Sequence, residues 1–329
     1  MSEALRRMRE RLVGKIGVAL GSGAARGWAH VGVLRGLVAA GIAPEIVVGS
    51  SSGALVGAVF AAGRLEAFDA WGRTLDWRQV VGYFDFTFRG GVIKARRLLD
   101  EIAALLPTGG IESLPLPFAC VATDLATGRE VWLRSGPLLE ALRASIAVPG
   151  LIAPVKIDGR WLVDGGVANP VPVSLCRAMG ADTVIAVDLN TTLLGRRLRG
   201  RPAAPEVVSA AAPVGPAPTL EEGTEEGAVE IAAPSPIRSA IEGFVADLRR
   251  RVNPGTPGEK EAQPSIYEVL AQSLNIMQVH IARTRMAGDP PEILVTPRLA
   301  DFGLLDFDRA LEASEEGERA VTRALAGAG

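Results

Sequence analysis

Twice near its start the chain runs from a short apolar stretch into glycine and serine and then directly into a helical pattern. The first unit is "KIGVAL" (15–20), the turn "GSGAARG" from Gly21 to Gly27, and "RGWAHVGVLRGLVAAG". The second is "EIVVGS" (45–50) followed by "SGALVGAVFAAG". Apolar runs of this length without alternation are strands buried on both faces, and parallel neighbours need a helix-sized crossover between them. The pattern therefore predicts an α/β fold, a layered αβα arrangement on a mainly parallel central sheet. Further strands are expected at "PFACVATD" (117–124), "REVWLR" (129–134), "RWLVDG" (160–165) and "DTVIAVDL" (182–189), with helices at "GPLLEALRASIA" and "VPVSLCRAMG".

The pattern fails after residue 190. Residues 200–236 are rich in Pro, Ala, Gly and Glu and keep no apolar period, which is the composition of a loosely packed or disordered insertion. Within the expected insertion (191–263), "IRSAIEGFVADLRRRV" (237–252) repeats apolar residues at helical spacing and ends in Arg249 to Arg251. It reads as an amphipathic helix, either packed on the core or in peripheral contact with a membrane. From 264 to 329 a long helix, the strand "EILVTPRL" and a closing helix return the chain to the core domain of residues 15–190. Residues 1–14 are charged and read as an N-terminal helix rather than a signal peptide.

Several function classes drop out. A formal net charge of −2 offers no field for nucleic acid. Cys120 and Cys176 lie far apart without metal-ligand spacing, so neither zinc nor a disulfide scaffold is expected. No run approaches the ~18 apolar residues of a spanning helix. The expected location is the cytoplasm, with peripheral contact at the inner face of a membrane if 237–252 is an anchor.

"GSSSG" (49–53) fits Gly-x-Ser-x-Gly with Ser51 at its centre. Between a strand and a helix, that pattern is a nucleophile elbow: the turn is too tight for side chains at Gly49 and Gly53, and it lifts Ser51 above the strand ends. It also aims the helix N-terminus and the Ser52 amide at a reacting carbonyl oxygen. The alternative is plainer, with serines capping a helix. The earlier turn, containing Gly23, Ala24, Ala25, Arg26 and Gly27, would open at the same edge if the two strands are neighbours. Its N–H groups and the Arg26 charge suit a developing oxyanion. A dinucleotide site is the rival, but the second strand ends in Gly49-Ser50-Ser51 where a ribose-binding carboxylate belongs.

Only His30 and His280 could serve as histidine bases, and both fall within helical patterns, which suits packed or surface roles. "RWLVDGGVANPVP" instead sets Asp164 at the end of an apolar strand before Gly165-Gly166. Alone this reads as a turn. Beside an elbow it becomes the best base, provided that burial raises its pKa or strong oxyanion stabilisation compensates.

Together the three segments resemble the patatin-like phospholipase family, and look most like its bacterial members related to the esterase domain of neuropathy target esterase. That family joins a Gly-Gly-x-Arg/Lys-Gly turn, a Gly-x-Ser-x-Gly elbow and an Asp-Gly-Gly/Ala motif. The matching positions are Gly23 to Gly27, Gly49 to Gly53, and Asp164-Gly165-Gly166. "ATDLATGREVWL" (122–133) and "ASIAVPGLIAPV" (144–155) are also similar to family segments. The resemblance implies a Ser51–Asp164 dyad acting on phospholipids, lysophospholipids or simpler acyl esters, with no histidine, metal or cofactor. It leaves open transfer to a lipid alcohol in place of water, and a non-catalytic scaffold that keeps the fold. Ala24 departs from the family's glycine. If its φ is positive, its Cβ costs roughly 1–2 kcal/mol.

Overall fold

In a computed structural model of the chain, the described residues are 12–76, 79, 96–191, 266–304 and 306–327. The expected helix at 237–252, nearly all of the expected insertion and most of the expected N-terminal helix lie outside them. By their contacts Met1–Arg196 and Glu268–Gly329 form one unit and Arg197–Tyr267 another. The sheet belongs to the first.

Its strands are β1 (Ile16–Leu20), β2 (Ile46–Ser50), β3 (Phe118–Asp124), β4 (Glu130–Leu133), β5 (Val155–Ile157), β6 (Arg160–Asp164), β7 (Thr183–Val187) and β8 (Ile293–Val295). They form one eight-stranded sheet in the order β5-β6-β3-β2-β1-β7-β8, with β4 also pairing β3. The run β3-β2-β1-β7-β8 is parallel; β4, β5 and β6 pair antiparallel. Both faces of β3, β2, β1 and β7 are buried, which is why these strands carry unbroken apolar sequence, whereas Leu294 of the edge strand β8 is exposed.

The helices are α1 (Trp28–Ala39), α2 (Ser52–Ala61), α3 (Leu65–Gly72), α4 (Arg96–Leu105), α5 (Leu138–Ser145), α6 (Val173–Ala178), α7 (Ile266–Gly288) and α8 (Ala310–Gly327). Ala19, Val48, Ala119 and Ala186 share one face of the sheet and pack in one cluster with Leu175 and Cys176 of α6 and Ala282 of α7. The opposite face carries Leu20, Val47 and Phe118, against which α2 approaches at Gly57. Helices therefore cover both faces, and the expected layered α/β fold with a mostly parallel sheet is the observed one. α8 lies along α1 at close range: a Cβ on Gly32 would sit 1.7 Å from the Ser314 carbonyl oxygen.

The register of β3 positions everything that follows. β2 pairs with Phe118 to Val121, β6 with Ala122 to Asp124, and β4 with Cys120 to Thr123. β4 overlaps both of the others, so β2 and β6 must share the opposite edge of β3, end to end. Ser50 is level with Val121, and Asp164 with the next residue, Ala122. The expected strands at 129–134 and 160–165 are thus antiparallel members at the end of the parallel sheet. Strand β5 and helices α3 and α4 are elements that no sequence pattern singled out.

Candidate active site

Ser51 sits between β2 and α2 with φ 54 and ψ −122, a backbone conformation rare for a side-chain-bearing residue. The glycines around it are there for space. A Cβ on Gly49 would lie 2.3 Å from the Gly53 carbonyl oxygen, and one on Gly53 would lie 2.2 Å from that of Leu20. Ser51 is only 6 % exposed, and its N–H donates to Ser145 Oγ at 3.1 Å. Ser145 in turn donates to the Val121 carbonyl at 2.7 Å, so one buried hydroxyl ties the elbow to β3. Nothing local in the sequence marks Ser145 for this. Its partner is 94 residues away.

Asp164 arrives at Ser51 because β6 ends where β2 ends. It is 1 % exposed, and its Oδ1 accepts the Gly166 N–H at 2.7 Å. Burial pushes its pKa up to about 6; the Ser51 hydroxyl and the Gly166 N–H pull the other way. Its Oδ2 is sealed from solvent and has no hydrogen-bond partner. The Ser51 hydroxyl is thus near enough to influence the acid without being aligned for a formed bond. A carboxylate with an unpartnered oxygen so near a hydroxyl is available to receive its proton.

The glycine turn lies one strand over, on β1, the parallel neighbour of β2. Ala24 adopts φ 50, so it does occupy the strained region at a cost of roughly 1–2 kcal/mol. The Gly23 carbonyl accepts both the Arg26 N–H and Arg26 Nε, each at 3.1 Å. A trans peptide points its N–H opposite to its C=O, so this grip turns the Ala24 N–H outward. Ala24, Gly27 and Ser52 all line an apolar cavity of about 60 Å³, walled further by Leu55, Trp28 and Phe68. Gly27 is needed there because a Cβ would meet that of Ser52 at 2.6 Å. Ala25 is held from outside by the Leu304 carbonyl at 3.1 Å.

Arg26 does not face the cavity as a free cation. It is 1 % exposed, and its Nη2 donates to Asn275 Oδ1 of α7 at 3.1 Å. Burial lowers its pKa to about 10, with Asp188 opposing that shift. Ser22, Asn190 and Gln278 continue the same polar cluster, joining the turn to the end of β7 and to α7. Asn275 and Gln278 thus support the turn from a part of the chain where no motif announces them.

The two histidines fall where their helical settings place them. His30 is fully buried, with Nε2 2.7 Å from the Gly21 carbonyl oxygen, and burial lowers its pKa to about 4. It is neutral at pH 7 and braces the first turn. His280 is exposed on α7. Cys120 and Cys176 are buried free thiols, both pushed up to about 12 mainly by burial. Among the described residues no cluster of three His, Cys, Asp or Glu side chains could hold a metal ion, and no helix is long and apolar enough to cross a membrane.

The family described as patatin-like phospholipase matches residues 18–177, a span containing the turn, the elbow and Asp164. An NTE family protein of Mycobacterium tuberculosis, Rv1063c, is 34 % identical over 331 residues, covering 94 % of this chain and 91 % of that one. Lysophospholipase NTE1 of Mycosarcoma maydis is 34 % identical over 201 residues, 56 % of this chain and 10 % of that much longer one. Among solved structures, VipD from Legionella pneumophila is a distant likeness, with a TM-score of 0.43 at 13 % identity over 95 % of this chain and 67 % of that one. Similarity that runs nearly end to end in the mycobacterial protein, together with the family match over residues 18–177, settles the kinship: the chain belongs to the patatin-like phospholipase family.

Proposed function

We propose that the protein is a serine lipid acyl hydrolase in which Ser51 is the nucleophile and Asp164 the base. The reading is carried by one observation: a buried carboxylate, raised in pKa and with one oxygen unpartnered, lies near enough to the hydroxyl of a strained elbow serine to feel it. Family membership supports hydrolysis of lipid esters as the class of reaction. Ser51 Oγ attacks the ester carbonyl as its proton passes to Asp164 Oδ2, and the carbonyl electrons move to oxygen. The Ala24 and Ser52 N–H groups, with the N-terminus of α2, stabilise that oxyanion. On collapse, Asp164 returns the proton to the departing alcohol and leaves Ser51 acylated. Water then gives a proton to Asp164 and attacks the acyl group. The fatty acid leaves, and Ser51 recovers its proton.

A base with a pKa near 6 is ionised at pH 7 yet far more basic than an ordinary carboxylate, which suits it to this step. The cavity beside Ala24 and Ser52 is apolar, as an acyl chain requires. Lysophospholipids, phospholipids and short carboxyl esters are the proposed substrates. The test is a fluorophosphonate ester probe followed by peptide mapping. Label on Ser51 that disappears in Asp164→Asn supports the dyad; undiminished labelling of Ser51→Ala refutes it.

A further inference from the structure

One rim of the sheet rises past the elbow. Val121 of β3 is level with Ser50, the last residue of β2, and β3 then continues through Ala122, Thr123 and Asp124. Those residues carry it about 10 Å further at ~3.3 Å each. β6 pairs along this extension, and β5 returns beside β6 through the tight Asp158–Gly159 turn. The next step of the register opposes Leu125 to Trp161, joined by the Leu125 N–H to the Trp161 carbonyl at 2.9 Å. Trp161 is also opposite Lys156. Opposed residues of antiparallel strands carry their side chains on one face. Leu125, Trp161 and Lys156 therefore form a row across three chain segments, with Lys156 Nζ 5.7 Å from the Trp161 ring centroid.

This row stands in solvent. Leu125 is 57 % exposed and Trp161 52 %. Arg129 and Arg160 stand at the same rim, both exposed, and leave from the opposite face, since Arg160 is next to Trp161 along β6 and Arg129 is level with Asp124; Asp158 is the only carboxylate in the segments 125–129 and 156–161. At this rim three cations accompany one anion, with Lys156, the indole and the leucine on one face and the two arginines on the other.

We propose that this row is the surface by which the protein sits on an anionic phospholipid bilayer. Trp161 and Leu125 enter the boundary between headgroups and acyl chains, where an indole has both an apolar and a polar neighbour. Lys156, Arg160 and Arg129 meet the lipid phosphates. The inference rests on the hydrolase reading only in that the substrate is a membrane lipid. The row rises from the edge at which Ser51 opens, so docking there brings the elbow to its substrate. It uses no residue of 237–252.

Co-sedimentation with phosphatidylcholine vesicles, with and without phosphatidylglycerol, tests this in a Ser51→Ala background that leaves the lipid intact. Binding is expected to require phosphatidylglycerol. It should fall on the order of 10-fold in Leu125→Ala/Trp161→Ala, and about fivefold for each of Lys156→Gln and Arg160→Gln. In the Ser51 parent the same substitutions should leave hydrolysis of a water-soluble short-chain ester unchanged. Equal vesicle binding by variants and parent overturns the proposal. So does a parent that ignores anionic vesicles, or a parent dimer that Trp161→Ala splits, because the row would then be covered by a second copy. Vesicle binding by a Ser51 parent that hydrolyses no ester refutes the hydrolase reading and leaves this one standing.

Discussion

Asp164→Asn should make the protein more stable as it makes it inactive, and the gain should depend on pH. The folded pKa of Asp164 is raised from 3.8 to about 6, with burial as the largest cause. A raised acid holds its proton more tightly when folded, so its contribution to stability is present below about 3.8 and is lost as pH rises through about 6. Above that the folded state carries a sealed carboxylate that the unfolded chain would leave in water. Complete ionisation makes the loss on the order of 3 kcal/mol. Between about pH 4.5 and pH 8 the part that changes is ~2 kcal/mol. Asparagine keeps an oxygen for the Gly166 N–H and carries no charge, so it escapes this loss. Its amide costs something where Oδ2 had no partner, but that cost is the same at every pH. Subtracting the two pH values removes it, and comparing the two chains at each pH removes the titration of His30. Thermal melts of both chains should therefore show the variant's Tm rising relative to the parent by roughly 3–4 °C between the two conditions. A difference independent of pH, or one that shrinks on going to pH 8, would mean that Asp164 is not a buried, desolvated acid. The base assignment would then lose its physical footing.

The rate of ester hydrolysis should rise with pH to a plateau with its midpoint near 6, following Asp164. His30→Gln should leave that midpoint in place, and a midpoint that moves with His30 would refute the dyad. Ser145→Ala strands the Ser51 N–H and the Val121 carbonyl, for a stability loss on the order of 2 kcal/mol. It should lower kcat far more than it raises KM, with Ser145→Cys intermediate; a pure KM effect would show that Ser145 does not set the elbow. Ala24→Gly removes a Cβ from a residue at φ 50 and should raise stability by ~0.5–1 kcal/mol after the entropy of glycine is subtracted. Denaturant midpoints check this, and a clear loss would mean that the Ala24 methyl contributes packing that outweighs the strain.

What could be read without a fold was local. Buried parallel strands need apolar sequence on both faces, so β1, β2, β3 and β7 stand out as unbroken runs. The elbow stands out because a turn this tight excludes side chains at Gly49 and Gly53, a constraint that five consecutive residues express in full. β5 could not be read in this way: it is three residues long and belongs to a hairpin whose partner lies outside the parallel sheet. α3 and α4 likewise carry no cap or glycine signal comparable to those of the turns.

The tertiary structure decided which distant groups meet. Asp164 follows its own apolar strand and two glycines whatever the fold does. It reaches Ser51 only because β2 and β6 abut along one edge of β3, and that register is set by two long-range pairings that together bridge the chain from Ser51 to Asp164. The same is true of Ser145, which reaches the Ser51 amide from the end of α5. Arg26 looked in sequence like a charge for an oxyanion. In the fold it turns inward to Asn275 and the Gly23 carbonyl, because a buried guanidinium must find acceptors and α7 supplies one. Backbone sterics are short-ranged and leave their mark on neighbouring letters. Desolvation and hydrogen-bond satisfaction depend on whatever the fold brings within a few ångströms, and no stretch of sequence carries that by itself.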